Sequence, residues 1–328
     1  MEQEFKNRIN LNIDLSIISR EICKAYFLGE YVSDKIITVG YEDFNYILET
    51  TKDKYFVKIF NKERTDSDCQ NYMDRIELAQ LANINTPKLK KCNDKSEYIT
   101  TINNVKYRLC VFEYIDGNSF FDLDIIPDEN EIKEIIRQMA NIHKQKLNSD
   151  FIYDKWAIVN FINEFENKKQ YLNEIDYNKL NKLLTDFKKI DMNKLPYAFT
   201  HGDIISTNVM KDTNGKLWII DFAVSNYLPR IIDLAVSSCN LCLNPDNKNE
   251  TINKIKMILH EYEKYNKLTV YEKEILPILF DIANAMGILQ ISYLFSQGEE
   301  SDEDKFWYNV SEKGLEFSNN DFWKKILD

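Results

Sequence analysis

One short segment carries most of the side chains that could do chemistry. The segment THGDIISTN (200–208) places a glycine between His201 and Asp203 and puts Asn208 five positions after that aspartate. The chain has only eight glycines and three histidines, so their use here indicates a specific backbone turn rather than a strand or helix interior. We predict that Gly202 permits this turn at a point where any side chain would crowd the loop.

Two apolar runs after this segment predict a β-hairpin. The runs NVM and LWIID flank Asn214-Gly215, a pair typical of tight hairpin turns. A hairpin here brings Asp203, Asn208 and Asp221 to the same end of the two strands. Their oxygens suit a hard cation such as magnesium, which also takes water and phosphate oxygens. Zinc is disfavoured because no set of cysteines and histidines lies nearby in the sequence.

The segment HGDIISTN followed by IIDF resembles the catalytic segment of the small-molecule kinases related to eukaryotic protein kinases. That family includes aminoglycoside phosphotransferases, choline kinases and homoserine kinases. The resemblance implies that Asp203 accepts the proton of the attacking hydroxyl. It also implies that Asn208 and Asp221 hold Mg²⁺ on the phosphates of ATP, and that His201 braces the loop.

The segment IDFAVSNYLPRIIDLAVSSCNLCL (220–243) resembles homoserine-kinase-type members most closely. The expected acceptor is therefore a small cationic alcohol, with homoserine leading and an aminoglycoside or choline-like compound next. The excess of acidic over basic residues, 53 against 42, favours an amine on the acceptor. Arg230 either pairs with a substrate carboxylate or forms a salt bridge with Asp233 three residues on.

The order of apolar patterns predicts an α+β fold with two lobes, and the resemblance implies that this is the protein-kinase-like fold. A small antiparallel β lobe is expected over 1–115 and a larger, mainly helical lobe over 116–328. The first lobe should contain strands over 35–40, 44–50, 54–60, 96–102 and 105–115, with one helix over 67–83. The second should contain helices near 128–147, 157–173 and 176–190, a β interruption over 197–224, and helices to the end.

The resemblance places the nucleotide in the β-rich lobe. Gly40 and Asn45 flank a hairpin that resembles the family's phosphate-covering turn, and Lys58 is one charged residue among apolar neighbours in its strand. A strand lysine that faces a cleft can contact ATP phosphates, whereas one at a sheet edge faces water. A carboxylate of the following helix should hold Lys58 in place, and both Glu77 and Asp74 qualify.

The segment VFEYIDG (111–117) resembles the linker between the lobes. The resemblance implies that backbone groups of Phe112, Glu113 and Tyr114 bind adenine. The alternative is an edge strand followed by a turn.

Bulk properties exclude several function classes. The net charge of −11 argues against nucleic acid or an anionic membrane as a partner, because both require a cationic surface. The apolar run over 276–295 is interrupted by proline and polar residues, so we predict a buried helix rather than a membrane span. Six scattered cysteines indicate the reducing cytoplasm, and Cys239 and Cys242 are expected to be packed thiols.

Two other classes compete with a small-molecule kinase. A serine/threonine protein kinase requires H-R-D, D-F-G and A-P-E motifs, none of which is present. A nucleotide-binding pseudokinase scaffold usually lacks the lysine, the base or the metal ligands, whereas Lys58, Asp203, Asn208 and Asp221 are all present.

Overall fold

The computed structural model describes residues 2–38, 43–147 and 150–327, and the chain divides into two compact units. The first unit comprises Met1–Leu81 and Asn85–Gly117, and the second comprises Ala82–Ile84 and Asn118–Asp328. The α+β class predicted from the sequence is confirmed, because the first unit holds a five-stranded antiparallel sheet and the second is mainly helical.

The sheet of the first unit has the strand order β1-β2-β3-β5-β4. Its strands are β1 (Tyr31–Ile37), β2 (Phe44–Thr50), β3 (Lys54–Ile59), β4 (Tyr98–Ile102) and β5 (Val105–Glu113). The predicted hairpin across residues 51–53 is confirmed by the antiparallel pairing of β2 with β3. Strand β3 is therefore the centre of the sheet, and its residues are removed from both edges.

Three helices belong to the first unit: α1 (Glu2–Arg8), α2 (Leu15–Ala25) and α3 (Asp66–Leu81). Helix α2 starts at the cap residue Asp14, whose side chain accepts a hydrogen bond from the backbone of Ser16 at 2.9 Å. Apolar residues of α1 and α2 form one core with alternate residues of the sheet. The sequence pattern predicted α3 but neither α1 nor α2.

The second unit is built around long helices that follow a short β region. Its helices are α4 (Glu129–Ile142), α5 (Phe161–Lys168), α6 (Glu174–Phe187), α7 (Ile231–Leu241), α8 (Lys248–Glu263), α9 (Val270–Ser296), α10 (Asp302–Phe317) and α11 (Asn320–Leu327). Helix α4 begins with a capping box in which Asp128 and Glu131 each bind the other's backbone N–H. The predicted helix near 157–173 is shorter, because 3₁₀ turns flank α5 on both sides.

The predicted hairpin in the β interruption is confirmed. Strands β8 (Val209–Asp212) and β9 (Leu217–Ile219) pair antiparallel, and Gly215 in their turn has φ +81°. Strand β6 (Gly117–Ser119) completes this three-stranded sheet on the β8 side. Strands β7 (Tyr197–Thr200) and β10 (Asn226–Pro229) form a separate antiparallel pair.

Within the described residues, α9 alone is long and apolar enough to cross a membrane by length and composition. In its most apolar window, 67% of the residues are buried inside the protein, and α9 packs against α5, α6, α7 and α10. This packing confirms the expectation of a buried helix over 276–295.

Candidate functional site

The turn after β7 is held by one buried carboxylate. The backbone N–H of His201 donates to Oδ2 of Asp233 at 2.8 Å, and that of Gly202 donates to Oδ1 at 2.8 Å. Asp233 lies in the first turn of α7, so the helix fixes the path of the loop. Each oxygen of this carboxylate therefore receives a loop N–H that would otherwise be buried without a partner.

The Asp233 carboxylate has a third donor. His143, at the end of α4, places Nε2 3.0 Å from Oδ2, and its Nδ1 lies 2.6 Å from the hydroxyl of Tyr262. Burial raises the pKa of Asp233, but His143 and the loop N–H groups outweigh burial, so the pKa is below its ordinary value. The carboxylate that braces the loop is thus ionised at neutral pH.

Gly202 is required by backbone conformation rather than by space. Its φ is +87°, in the left-handed region that favours glycine. A Cβ built there would lie 3.4 Å from the carbonyl oxygen of Val224, which is an ordinary contact. The expectation of a tight turn is confirmed, and the expectation of crowding is wrong.

The imidazole of His201 is a structural part of the loop. Its Nε2 lies 3.0 Å from the carbonyl oxygen of Ile220, and its Nδ1 accepts from the backbone N–H of Asp203 at 3.2 Å. This pattern assigns the proton to Nε2. Burial lowers the pKa of His201, so the ring is neutral at pH 7. It packs against the Phe222 ring in a tilted arrangement, with centroids 4.4 Å apart and an angle of 56° between the planes.

Asp203 is the most unusual carboxyl of the loop. Its side-chain Oδ2 accepts from Nδ2 of Asn208 at 2.7 Å, and the same amide donates to the Asp203 carbonyl at 3.0 Å. Burial, followed by the negative charges of Asp154 and Asp221, raises the pKa of Asp203 to about 7. The Asn208 hydrogen bond opposes this shift but does not offset it. A carboxyl with this pKa can accept a proton near neutral pH.

The structure brings Asn208 and Asp221 to the same end of the hairpin. The Asn208 carbonyl accepts the backbone N–H of Ile220 at 3.0 Å, which places Asn208 beside the start of the segment after β9. Asp221 is exposed and has φ +62°, a conformation that is uncommon for a residue other than glycine and frequent at functional sites.

The donor set of this pair fits magnesium. Both Nδ2 bonds of Asn208 go to Asp203, so its amide oxygen points to the other side, while Asp221 uses Oδ1 to accept from the Ala223 backbone at 3.2 Å. Over residues 2–38, 43–147 and 150–327, no group of three or more His, Cys, Asp or Glu side chains could hold a metal ion alone. An ion bound by Asn208 and Asp221 therefore needs phosphate and water oxygens as well.

The segment that contains Ile152 and Asp154, which the sequence did not predict as part of the site, brings another acid near the loop. Asn226, which lies opposite Thr200 in the β7–β10 pair, binds both the N–H and the carbonyl of Ile152, at 2.8 Å and 2.9 Å. Asp154 follows two residues later and acts on the charge state of Asp203. No periodicity marks this segment in the sequence. Asp233, by contrast, was identified by the family-like segment IIDLAV, although its bonds to the loop were not predicted.

In the first unit, strand register places Asn45, Lys58 and Phe112 on one face of the sheet. Asn45 lies opposite Lys58, and Phe56 opposite Phe112, with the Phe56 and Phe112 rings 5.9 Å apart. This face is opposite to the one packed on α1 and α2. Lys58 is only 6% exposed on the central strand, so the alternative of a solvated edge lysine does not hold. The side-chain oxygen of Asn45 is buried without a hydrogen-bond partner.

The structure does not bring Glu77 or Asp74 to Lys58. Glu77 accepts a hydrogen bond from Ser96 and lies 3.6 Å from the Lys91 ammonium, while Asp74 accepts from Gln70 at 2.7 Å. Both carboxylates therefore interact with side chains other than Lys58. The expected helix partner of Lys58 is therefore wrong.

The residues that are expected to bind adenine lie in different surroundings. The backbone N–H of Glu113 donates to the carbonyl of Lys88 at 3.0 Å, and its carboxylate lies 3.1 Å from the Lys90 ammonium. That N–H is therefore not free to bind adenine. Tyr114 lines a surface cleft of about 380 Å³ with residues of the β2–β3 turn, and neither Lys58 nor Asn45 lines it. Gly40 lies outside the described residues.

Two further expectations have clear outcomes. Arg230 forms a two-pronged ion pair with Glu272, with N–O distances of 2.8 Å and 3.0 Å, so the expected salt bridge with Asp233 is wrong. Cys239 and Cys242 are free thiols whose pKa values burial raises. The Cys239 sulfur contacts Asn284 and the Phe280 carbonyl, as expected for packed thiols.

Comparisons with known proteins identify the family of this chain. The model of the phosphotransferase enzyme family matches residues 34–250. A homoserine kinase of Rhizobium meliloti is 22% identical over 267 residues, covering 78% of this chain and 77% of the relative. A homoserine kinase of Caulobacter vibrioides is 23% identical over 267 residues, covering 78% and 80%.

Solved structures share the fold. The amicoumacin kinase hAmiN, solved with AMP-PNP, Ca²⁺ and Ami, has a TM-score of 0.70 at 14% identity and covers 99% of both chains. The choline kinase LicA from Streptococcus pneumoniae has a TM-score of 0.60 at 21% identity, covering 92% of this chain and 98% of its own. The protein-kinase-like fold predicted from the sequence is confirmed. The chain belongs to the phosphotransferase enzyme family and is a small-molecule kinase.

Proposed function

We propose that this kinase transfers the γ-phosphate of magnesium-bound ATP to a hydroxyl of a small alcohol that carries an amine, with homoserine as the leading acceptor. The observation that carries the proposal is the loop over residues 201–208. Asp203 is the one acidic residue of this loop. Its pKa is raised to about 7, and a hydrogen bond from the Asn208 amide holds its side chain in place. The two relatives described above support homoserine, because both are homoserine kinases.

Asp203 acts as the proton acceptor in the proposed reaction. The acceptor hydroxyl gives its proton to the Asp203 carboxylate while its oxygen forms a bond to the γ-phosphorus. The bond between that phosphorus and the bridging oxygen of ATP breaks, and ADP leaves. Because phosphoryl transfer makes limited demands on a base, Asp203 also works by orienting the hydroxyl.

Asn208 and Asp221 are the proposed magnesium ligands. When bound, the ion neutralises the charge on the phosphate oxygens and positions them for transfer. Lys58, Asn45 and Phe112 are the proposed nucleotide contacts of the first unit, and they share one face of its sheet. The ammonium of Lys58 supplies positive charge to the phosphates, and the apolar ring of Phe112 suits the adenine.

A cationic acceptor is supported by the acids around Asp203. Asp154 and Asp221 both act on the Asp203 carboxyl, and the chain has a net charge of −11. An ammonium group on the acceptor is attracted to such surroundings. The same net charge supports the absence of nucleic-acid and membrane partners. The six free cysteines support a location in the reducing cytoplasm.

A panel of acceptors at fixed magnesium-ATP tests the proposal. The panel contains homoserine, choline, ethanolamine, several aminoglycosides and amine-free sugars including methylthioribose, with ADP release as the signal. We expect kcat/KM to be highest for an amine-bearing alcohol, and for homoserine first. A clear preference for an amine-free sugar would remove the charge argument.

A further inference from the structure

The carboxylate beside Lys58 comes from a neighbouring strand rather than from α3. Lys58 Nζ lies 3.5 Å from Oδ2 of Asp43, the residue directly before β2. Helix α3 instead presents the ring of Tyr72, whose centroid is 5.0 Å from Nζ. A lysine that holds phosphates needs a fixed anionic partner, and protein kinases take it from the helix after the lysine strand. In this chain a carboxylate that contacts the lysine comes instead from the residue directly before β2.

Asp43 is held rigidly enough to serve as an anchor. Its side chain is only 1% exposed. Oδ1 accepts from the backbone N–H of Asn61 at 3.0 Å and from Nε of Arg64 at 2.8 Å, while Oδ2 accepts from Nη2 of Arg64 at 3.1 Å. Nη1 of Arg8 also donates to the Asp43 carbonyl at 3.2 Å. These bonds fix both the main chain and the side chain of Asp43.

The two cations do not share the carboxylate equally. Arg64 binds both oxygens of Asp43 in the two-pronged geometry that is strongest between guanidinium and carboxylate. The 3.5 Å contact with Lys58 is at the outer limit of a hydrogen bond. Arg64 therefore fixes the position of the carboxylate, and the carboxylate in turn contacts the Lys58 ammonium.

We propose that Asp43 is the positioning residue for Lys58, with Arg64 as its fixed counter-ion, in place of the helix carboxylate of protein kinases. The assignment rests on the proposed role of Lys58 as the ligand of the ATP phosphates. Asp43 directly precedes β2, the return strand of the hairpin that resembles the phosphate-covering turn. It therefore links the start of that strand to the orientation of the lysine.

The test compares Asp43→Asn with a matched control in the full-length enzyme. The control is Asp66→Asn, which removes a carboxylate paired with Arg108 and Lys106 in the same unit. Steady-state kinetics give KM for ATP and kcat, calorimetry gives the ATP affinity, and thermal unfolding monitors the fold. We expect Asp43→Asn to raise KM for ATP roughly 10- to 100-fold, the scale of one charge-assisted hydrogen bond, with kcat at saturating ATP little changed. Asp43→Glu should restore part of the affinity, and Asp66→Asn should resemble wild type.

Removing one partner of a buried ion pair can unfold a protein, because it leaves the other charge unpaired. If Asp43→Asn unfolds, the double variant Asp43→Asn/Arg64→Gln removes the unpaired guanidinium and is measured in its place. Wild-type KM for ATP in a folded Asp43 variant would overturn the assignment, as would a larger rise in KM for Glu77→Gln than for Asp43→Asn. Failure of the wild-type enzyme itself to bind ATP would overturn the proposed function instead.

Discussion

Asp203 in the second unit is partly buried and Asp43 in the first is buried, and their pKa values move in opposite directions. Burial raises the pKa of each. Around Asp203 the neighbouring charges are Asp154 and Asp221, which raise it further to about 7. Around Asp43 they are Lys58 and Arg64, which outweigh burial and lower the pKa below its ordinary value. Burial alone would raise both pKa values, and only at Asp43 do the neighbouring cations reverse the sign.

This difference matches two different tasks for the same side chain. A carboxyl surrounded by like charges gains a proton readily, as a general base must. A carboxyl surrounded by cations stays ionised and holds those cations in place. The comparison therefore predicts that loss of Asp203 affects the chemical step and that loss of Asp43 affects nucleotide binding.

Asp203→Ala should have the largest effect on activity. We expect turnover to fall roughly 10²- to 10⁴-fold, the usual contribution of a positioned acid or base, while ATP affinity changes little. Single-turnover kinetics and calorimetry measure the two quantities, with Asp186→Asn, at a partly exposed carboxylate that pairs with Lys189, as control. Turnover at the wild-type rate would remove Asp203 from the catalytic role.

Two variants, Asp221→Ala and Asn208→Ala, test the proposed metal ligands separately from the proposed base. Both should weaken magnesium-dependent ATP binding, and Asp221→Ala should do so more, roughly 10- to 100-fold, because an anionic oxygen binds a hard cation better than an amide oxygen. Calorimetric titration of ATP with and without magnesium makes the measurement. Equal ATP affinity in Asp221→Ala and wild type, at saturating magnesium, contradicts the site.

Asp233→Asn tests how the catalytic loop is held. An amide in place of the carboxylate turns one acceptor of the His201 and Gly202 N–H groups into a donor, so one N–H loses its partner. We expect a loss of roughly 1–3 kcal/mol in the free energy of unfolding, together with reduced turnover. Urea unfolding compares it with the exposed Asp246→Asn. Unchanged stability and turnover would show that Asp233 does not position the loop.

Asp281 in α9 extends the comparison to a carboxyl without a charged neighbour. Burial raises its pKa to about 7, the nearby Ser318 opposes this only in part, and its Oδ1 is buried without a partner. Because the folded state holds this proton more tightly than the unfolded state, stability falls as pH rises from about 4 to about 7. Asp281→Asn should therefore stabilise the protein by roughly 1–2 kcal/mol at pH 8 and very little at pH 4. Unfolding measured at both pH values decides, and equal effects at both would contradict the shift.

The placement of the three proposed site residues around the β8–β9 hairpin could be predicted because they are close in sequence. Asp203, Asn208 and Asp221 are connected by one tight hairpin, whose turn residues appear in the sequence and fix which strand end they share. The α+β class could be predicted from the same kind of pattern, because most of the strand residues lie in the N-terminal third of the sequence and most helices lie in the remainder.

The partner of Lys58 could not be predicted in this way. Which residues of a helix face a strand depends on the rotation of the helix about its axis, and tertiary packing sets that rotation. On α3, packing buries Tyr72, Met73 and Ile76 and directs Glu77 to Ser96 and Lys91. The α1 and α2 helices were missed because their short apolar stripes become informative only when the sheet they cover is known.

The most direct test of the account follows the phosphoryl group itself. Phosphorus NMR of the enzyme with magnesium-ATP and homoserine should show a new phosphomonoester forming in equal amount with ADP. It should form at the wild-type rate in Asp186→Asn and be nearly absent in Asp203→Ala. Formation of ADP and inorganic phosphate alone, or of the phosphomonoester at an equal rate in Asp203→Ala, would contradict transfer to a hydroxyl by this loop.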